Sequence, residues 1–219
     1  PYNAAMAGAV AAVAAAGDGT LKVLEVGAGT GGATVAVLAA LRAAGRPFEY
    51  VFTDLSPMFL DAARARFAEV PGTAFRILDI DADPAGQGFA AGGHDLVIAS
   101  NVLHATPDLA RSVDNAKALL RPGGVLLLNE MTAASDLATL TFGLTDGWWG
   151  FRDPEARLPH GPLLDPEGWG GLLRRAGFPD VAYGGLGPDS GQSIVVARSD
   201  GWMPRRRGGR VAVARPAPA

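Results

Sequence analysis

A glycine-dense turn directly after an apolar strand constrains this chain more than any other feature. Residues 21–32 read LKVLEVGAGTGG, and the alanine-rich segment after them favours a helix. Gly27, Gly29 and Gly32 fit the G-x-G-x-x-G spacing, in which glycines let the backbone approach a nucleotide ligand at a helix N-terminus. Many nucleotide-binding folds share this pattern. The turn therefore predicts a strand–turn–helix unit of an α/β protein without distinguishing between those folds.

Glu25, two residues before the first glycine, narrows the choice of ligand. A carboxylate at this place attracts a ligand that has ribose hydroxyls and a positive charge, whereas it repels a pyrophosphate. The turn and the acid together therefore favour a cationic nucleoside over a dinucleotide.

The composition indicates one soluble globular domain with a substantial core, since 48% of the 219 residues are hydrophobic, 19% are charged and the net charge is −3. No apolar run approaches the ~20 residues that span a bilayer, and no secretory leader is recognisable. The absence of cysteine excludes disulfides, thiolate metal sites and cysteine nucleophiles. The lack of cysteine fits a cytoplasmic setting, which we therefore expect. The net charge and the single basic run at Arg205–Arg207 give no reason to expect a nucleic-acid partner, and no membrane partner is expected. The initial proline suggests a domain taken from a longer polypeptide.

Strand-like and helix-like segments alternate along the chain, which predicts βαβ units and a parallel sheet with helices on both faces. The predicted strands are Val23–Val26, Glu49–Thr53, Ala74–Leu78, Asp95–Ser100, Val125–Asn129, Asp180–Tyr183 and Ser193–Arg198. The predicted helices are Asn3–Ala16, Ala33–Ala44, Pro57–Ala68, Leu109–Leu120 and Glu167–Ala176. Arg121–Gly124 is predicted to separate a helix from the fifth strand. We divide the chain into an N-terminal helix (1–20), a core (21–200) and a basic linker or tail (201–219).

Polar residues follow the predicted strands, where an open α/β sheet binds its ligands. Asp54 comes about twenty residues after the glycine turn, the place of a ribose-binding acid in dinucleotide folds. Asp79, Asn101 and Glu130 end the next three strands, and His104 lies three residues beyond Asn101. Each acid alone is also consistent with a cap on the next helix. Together they predict a ligand site for an adenosine compound.

Six segments resemble the S-adenosylmethionine-dependent methyltransferases that are embedded in polyketide synthases, and most of all their C-methyltransferase domains. They are VLEVGAGTGGAT, YVFTDLSPMFLDAARARF, FRILDIDADPAGQGF, HDLVIASNVLHATPDL, ALLRPGGVLLLNEMT and LTFGLTDGWWGF. The resemblance covers Leu21 to about Arg198. It implies the α/β class I methyltransferase fold, a Rossmann-like, seven-stranded, mostly parallel sheet, with S-adenosylmethionine as cofactor and S-adenosylhomocysteine as product.

The resemblance also implies a set of cofactor contacts on the glycine turn and the strand ends. They are Glu25, Gly27, Ala28 and Gly29 near the methionine part, Asp54 at the ribose hydroxyls, Leu55 and Met58 beside the adenine, Asp79 and Ile80 at the adenine edge, and Asn101 at the reacting end. No metal is implied.

His104 and Glu130 match the catalytic residues of family C-methyltransferases, and physical reasoning supports the same pair. Strands four and five are expected to be neighbours, so their ends lie over one cleft. Histidine, with an ordinary pKa of ~6.5, is a suitable base at cellular pH, and a carboxylate on its second nitrogen fixes the tautomer. The resemblance implies methylation of the α-carbon of a β-ketoacyl group, carried by phosphopantetheine on an acyl carrier protein beside other synthase domains.

Several alternatives stay open on the sequence. O-methyltransferase domains of the same assembly lines also use a histidine and an acid, and a degenerate scaffold domain would share the fold. Polyketide C-methyltransferases usually have a larger N-terminal lid than this chain provides. Trp148, Trp149 and Phe151 fit either core packing or a substrate wall. A short-chain nicotinamide reductase is excluded, because neither Lys22 nor Lys117 follows a tyrosine by four residues.

Overall fold

The computed structural model describes residues 1–187 and 190–202, and the predicted tail lies outside these residues from position 203 onwards. The described helices are α1 Tyr2–Ala15, α2 Gly32–Ala44, α3 Pro57–Phe67, α4 Leu109–Leu119, α5 Asp136–Phe142 and α6 Pro166–Arg175. The described strands are β1 Leu21–Val26, β2 Phe48–Asp54, β3 Thr73–Ile77, β4 His94–Ser100, β5 Leu120–Met131, β6 Asp180–Gly184 and β7 Gln192–Arg198. None of the helices in this part of the chain is long and apolar enough to cross a bilayer.

The strands form one seven-stranded sheet in the order β3-β2-β1-β4-β5-β7-β6. Strands β1 to β5 pair in parallel, and β7 pairs antiparallel with both β5 and β6. The predicted mostly parallel sheet is therefore confirmed. The chain builds outward from β1 to β3 and then returns to β4 beside β1, so a ligand crevice is expected where the ends of β1 and β4 meet.

Helices cover both faces of the sheet, because successive strand residues point to opposite faces. In β1, Val23 belongs to a core with α1, α2 and α3, whereas Leu24 belongs to a second core with α4 and α6. Met6 of α1 and Trp169 of α6 are fully buried in these two cores. The sheet thus holds the ends of β1, β2, β4 and β5 in fixed relative positions.

The structure differs from the prediction at the start of β5 and after its end. Residues 121–124 do not separate a helix from the strand, because β5 begins at Leu120, directly after α4, and its register with β4 shifts between His94 and Leu96. Gly123, with φ of +73°, allows the chain to bulge there. Helix α5, which was not predicted, is capped by Ser135, whose Oγ accepts a hydrogen bond from the Ala138 N–H at 3.3 Å.

Candidate active site

The glycine turn between β1 and α2 contacts the loop after β4 on one side and is open on another. Gly27 and Gly29 have φ of +58° and +56°. A Cβ on Gly27 would lie 2.7 Å from Val102 Cγ2, whereas a Cβ on Gly29 would meet no described atom nearer than 4.0 Å. The Ala28 N–H donates to the Thr53 carbonyl at 2.9 Å. The turn is therefore anchored to β2 and to the segment that leads to His104.

Glu25 lies beneath this turn and is only 1% exposed. Its Oε2 accepts hydrogen bonds from Thr34 Oγ1 at 2.6 Å and from the Tyr50 hydroxyl, while its Oε1 has no partner among the described residues. Burial raises the pKa of Glu25 to about 7, although the two hydrogen bonds lower it. Burial likewise raises the pKa of Tyr50 well above its ordinary value. Glu25 therefore keeps its proton up to about neutral pH, where it begins to ionise, unless a nearby positive charge favours the ionised form.

Asp54 ends β2 beside the glycine turn. Its Oδ2 accepts the Gly29 N–H and its Oδ1 accepts the Ser56 N–H, both at 2.8 Å. Next to it, Leu55 and Met58 are 64% and 69% exposed, although both are large and apolar. The structure thus brings the predicted ribose acid and the predicted adenine neighbours to one end of β2.

Asp79 and Ile80 follow β3 in a loop that is held by side-chain hydrogen bonds. Gln87 Oε1 accepts the Asp79 N–H, and Gln87 Nε2 donates to the Asp79 carbonyl, each at 2.8 Å. Asp79 Oδ1 accepts the Asp81 N–H at 3.0 Å. The Ile80 carbonyl accepts from Asn115 Nδ2 at 2.6 Å. This loop is therefore fixed on the same edge of the sheet as Asp54.

Asn101 joins the ends of β4 and β5. Its N–H donates to the Asn129 carbonyl at 2.7 Å, and its Oδ1 accepts the Met131 N–H at 3.1 Å. It adopts φ of +55°, in the left-handed region that asparagine tolerates better than most residues. Its predicted place at the reacting end is next to the glycine turn, since β1 and β4 are paired.

His104 and Glu130, the predicted catalytic pair, are in direct contact. His104 lies on a 3₁₀ turn, Leu103–Ala105, and Glu130 lies on the neighbouring strand β5. The His104 Nδ1 is 2.5 Å from Glu130 Oε2, while Glu130 Oε1 accepts the N–H groups of Val102 and Leu103 at 3.2 and 3.0 Å. With the proton on Nδ1 directed at the carboxylate, Nε2 of the neutral ring carries a lone pair and can accept a proton.

The three predicted aromatic residues have different surroundings. Trp148 is 5% exposed and lies edge-on to His104, with ring centroids 5.9 Å apart, and it stacks on Phe142 at 5.8 Å. Trp149 is 48% exposed, and its Nε1 donates to the Gly143 carbonyl at 2.9 Å. Phe151 lies 4.9 Å from the guanidinium of Arg157. Only Trp148 therefore borders the candidate catalytic pair.

Sequence reasoning missed Thr34, Tyr50 and Arg157. Tyr50 reaches Glu25 because the β1–β2 register places it opposite Val23, and no sequence pattern reveals that register. Arg157 donates to the His104 carbonyl at 2.6 Å. Arg157 follows Asp153 by four residues, a spacing that could have predicted their ion pair. It could not have predicted the contact between Arg157 and His104.

These residues fit a cationic nucleoside such as S-adenosylmethionine. Glu25 has an unpartnered buried oxygen, and its interaction with the Asp54 carboxylate raises the pKa of Glu25 further. Neither carboxylate has an ion-pair partner among the described lysine and arginine side chains, while Gly29 leaves space above the turn. A ligand with positive charge and hydroxyl donors would compensate both acids.

Comparisons with known proteins agree with this chemistry. The model of the Methyltransferase domain family matches residues 24–126. Polyketide synthase ThaG of Burkholderia thailandensis is 46% identical over 201 residues, which are 90% of this chain and 4% of that protein. The crystal structure of the DszA carbon methyltransferase superposes with a TM-score of 0.80 at 40% identity, over 85% of this chain and 49% of that one. The crystal structure of the trans-methyltransferase CalH in complex with SAH superposes with a TM-score of 0.81 at 38% identity, over 90% of this chain and 57% of that one. The chain thus spans a small part of the synthase and about half of the solved carbon methyltransferase.

Proposed function

We propose that this chain methylates the α-carbon of a β-ketoacyl group, since it belongs to the S-adenosylmethionine-dependent methyltransferase domains of polyketide synthases. The acyl group would be carried by phosphopantetheine on an acyl carrier protein. The observation that carries this proposal is the buried contact between His104 and Glu130 beside the glycine turn. Similarity to solved carbon methyltransferases supports the choice of carbon as acceptor.

S-adenosylmethionine supplies an activated methyl group on a sulfonium, so the protein has to align the acceptor and remove one proton. In a β-ketoacyl thioester that proton is on the carbon between the two carbonyls. His104 would take it through Nε2, and the C–H electron pair would become the enolate. The enolate carbon would bond to the methyl group while the methyl–sulfur bond breaks and its electron pair stays on sulfur, which leaves a neutral thioether. The Glu130 carboxylate, in contact with Nδ1, stabilises the imidazolium.

The cofactor contacts proposed for this chain follow the positions described above. Asp54 would accept hydrogen bonds from the ribose hydroxyls, and the exposed side chains of Leu55 and Met58 would cover the adenine. The backbone of Gly27 to Gly29 would face the methionine part, with the charge of Glu25 beneath it. Asp79, Ile80 and Asn101 would complete the adenine edge and the reacting end.

A labelled transfer assay tests this function. The protein is incubated with S-adenosylmethionine carrying a trideuterated methyl group and with acyl carrier proteins loaded with a β-ketoacyl or a matched β-hydroxyacyl chain. Tandem mass spectrometry of the released acyl arm then locates the label. We expect the label on the α-carbon of the β-ketoacyl chain, and no label on a control chain whose α-carbon already bears two methyl groups.

Two other results would overturn the proposal. Label on the β-oxygen would show an O-methyltransferase. No transfer to either chain, together with no binding of S-adenosylmethionine by calorimetry, would favour a scaffold domain.

A further inference from the structure

A buried arginine holds the turn that carries His104. The Arg157 side chain is fully inaccessible to solvent and donates four hydrogen bonds. Its Nε donates to Asp153 Oδ1 at 2.5 Å. Its Nη1 donates to the carbonyls of His104 at 2.6 Å and Pro162 at 2.7 Å, and its Nη2 donates to the carbonyl of Thr106 at 2.7 Å. One guanidinium thus binds two carbonyls, those of His104 and Thr106, in residues 103–106, which we call the catalytic segment.

Asp153 extends this attachment to the start of the next helix. Its Oδ2 accepts the N–H of Leu109, the first residue of α4, at 2.8 Å. The adjacent Arg152 N–H donates to the Pro107 carbonyl at 2.8 Å. Segment 152–157 therefore makes hydrogen bonds to four residues between positions 104 and 109, namely His104, Thr106, Pro107 and Leu109.

The 3₁₀ turn at Leu103–Ala105 is three residues long and is hydrogen-bonded on two sides. Glu130 binds the N–H groups of Val102 and Leu103 from the side of the sheet, and Arg157 binds the His104 carbonyl from the opposite segment. Only arginine offers five donors in a planar fork, so no other side chain can make the same four bonds at once. Asp153 compensates its charge, without which a buried guanidinium would be unfavourable.

We infer that Arg157, oriented by Asp153, is a positioning residue that holds the His104 backbone so that Nδ1 meets Glu130 and Nε2 faces the acceptor. This inference rests on the proposed function for its catalytic consequence. Its structural part, the dependence of the His104–Glu130 contact on Arg157, is independent of any substrate.

The test compares Arg157→Met with Lys117→Met. Lys117 is a buried cation that binds the Ala176 carbonyl and Asp200, each at 2.7 Å, away from the catalytic segment. Both variants should unfold at a lower temperature than the wild type. Only Arg157→Met should lower kcat, on the order of 100-fold, because small misplacements of a catalytic group are costly. Its affinity for S-adenosylmethionine should be nearly unchanged.

Conservative variants keep the inference testable if Arg157→Met does not fold. Arg157→Lys retains the charge on a single nitrogen and should recover part of the lost kcat. Asp153→Asn retains acceptor capacity without the charge and should lose less than Arg157→Met. If Arg157→Lys and Asp153→Asn both keep the wild-type kcat, or if both lose no more kcat than Lys117→Met, the inference is wrong.

Proton NMR separates this inference from the proposed function. The chain has three histidines, so the far-downfield Nδ1 proton of the His104–Glu130 bond can be assigned by its loss in His104→Ala. We expect this signal to shift or broaden in Arg157→Met and to persist in Lys117→Met. A wild type that methylates nothing but shows this pattern would contradict the proposed function alone. A signal unchanged in Arg157→Met would contradict the positioning role even in an active enzyme.

Discussion

The Nδ1 atom of His104 lies 2.5 Å from the Oε2 atom of Glu130, and the two residues are 3% and 0% exposed. The other oxygen of Glu130 accepts the N–H groups of Val102 and Leu103. These two hydrogen bonds fix the orientation of the carboxylate and hold the loop that carries His104. A buried, fixed carboxylate determines which imidazole nitrogen carries the proton.

Glu130→Gln should therefore reduce turnover while the fold persists. The glutamine carbonyl can still accept the two backbone N–H groups, but its NH₂ group then faces His104 Nδ1 and favours the tautomer with the proton on Nε2. That tautomer cannot take a proton through Nε2. We expect kcat to fall by about 10²–10⁴-fold, the usual contribution of a general base, measured with a saturating β-ketoacyl substrate.

Glu130→Ala serves as the comparison for stability. It leaves the N–H groups of Val102 and Leu103 without this acceptor, and the loss costs about 1–3 kcal/mol at Leu103, where the N–H is buried. Urea unfolding should therefore rank the wild type and Glu130→Gln above Glu130→Ala. Equal stability of both variants with full activity in Glu130→Gln would contradict the role assigned to this carboxylate.

Alanine substitutions at Gly27 and Gly29 should have different consequences. At Gly27 the new Cβ would collide with Val102, so Gly27→Ala should destabilise the protein and displace the loop that carries His104. At Gly29 it would meet no described atom nearer than 4.0 Å, so Gly29→Ala should cost only the strain of its positive φ, about 1 kcal/mol.

Because the space above Gly29 is the proposed cofactor site, Gly29→Ala should bind S-adenosylmethionine much more weakly although it remains folded. Thermal unfolding and calorimetric titration of both variants measure the two effects separately. Normal cofactor affinity in Gly29→Ala would place the cofactor elsewhere.

Glu25 should make the stability of the ligand-free protein dependent on pH. Burial raises its pKa from an ordinary value of 4.5 to about 7, so the folded state retains a proton that the unfolded chain releases. The resulting stabilisation is complete below about pH 4.5 and is lost as the pH rises through about 7, a change on the order of 3 kcal/mol. Urea unfolding of the wild type and Glu25→Gln across this range measures it.

Glu25→Gln cannot ionise, so the difference in unfolding free energy between the two proteins should change across this window in the variant's favour. A cationic cofactor favours ionised Glu25, so the affinity of the wild type for S-adenosylmethionine should rise over the same window, and that of Glu25→Gln should not. A constant difference in stability between the two proteins would show that Glu25 does not titrate there.

Much of the fold could be predicted from the sequence because its signals are local. The glycine turn and the strand–helix alternation are visible within short windows, and the helix and strand limits agree with the structure within about two residues at most positions, which is usual for such limits. The start of β5 was wrong because Gly123 and Gly124 read as a break, whereas the chain bulges and continues the sheet. Helix α5 was missed because it has only seven residues and its leucines, Leu137 and Leu140, are exposed. It therefore lacks the apolar face, directed at the core, by which a helix is recognised in a sequence.

Some residues of the candidate site could likewise be predicted from the sequence, and others could not. His104 and Glu130 could be predicted as partners because parallel neighbouring strands end at one edge of the sheet. Tyr50 and Arg157 could not, since Tyr50 depends on strand register and Arg157 comes from a loop more than fifty residues after His104. Contacts of this kind arise from tertiary packing and leave no spacing in the sequence.

The role of His104 as the base is tested by the turnover of His104→Ala, with the affinity for S-adenosylmethionine determined on the same preparation. Removing the imidazole should greatly slow proton abstraction while the glycine turn and Asp54 keep their positions. We predict that α-carbon methylation falls by about 10²–10⁴-fold while the Kd for S-adenosylmethionine stays close to the wild-type value. Methylation at the wild-type rate in this variant would contradict the account, because the base would then be another group.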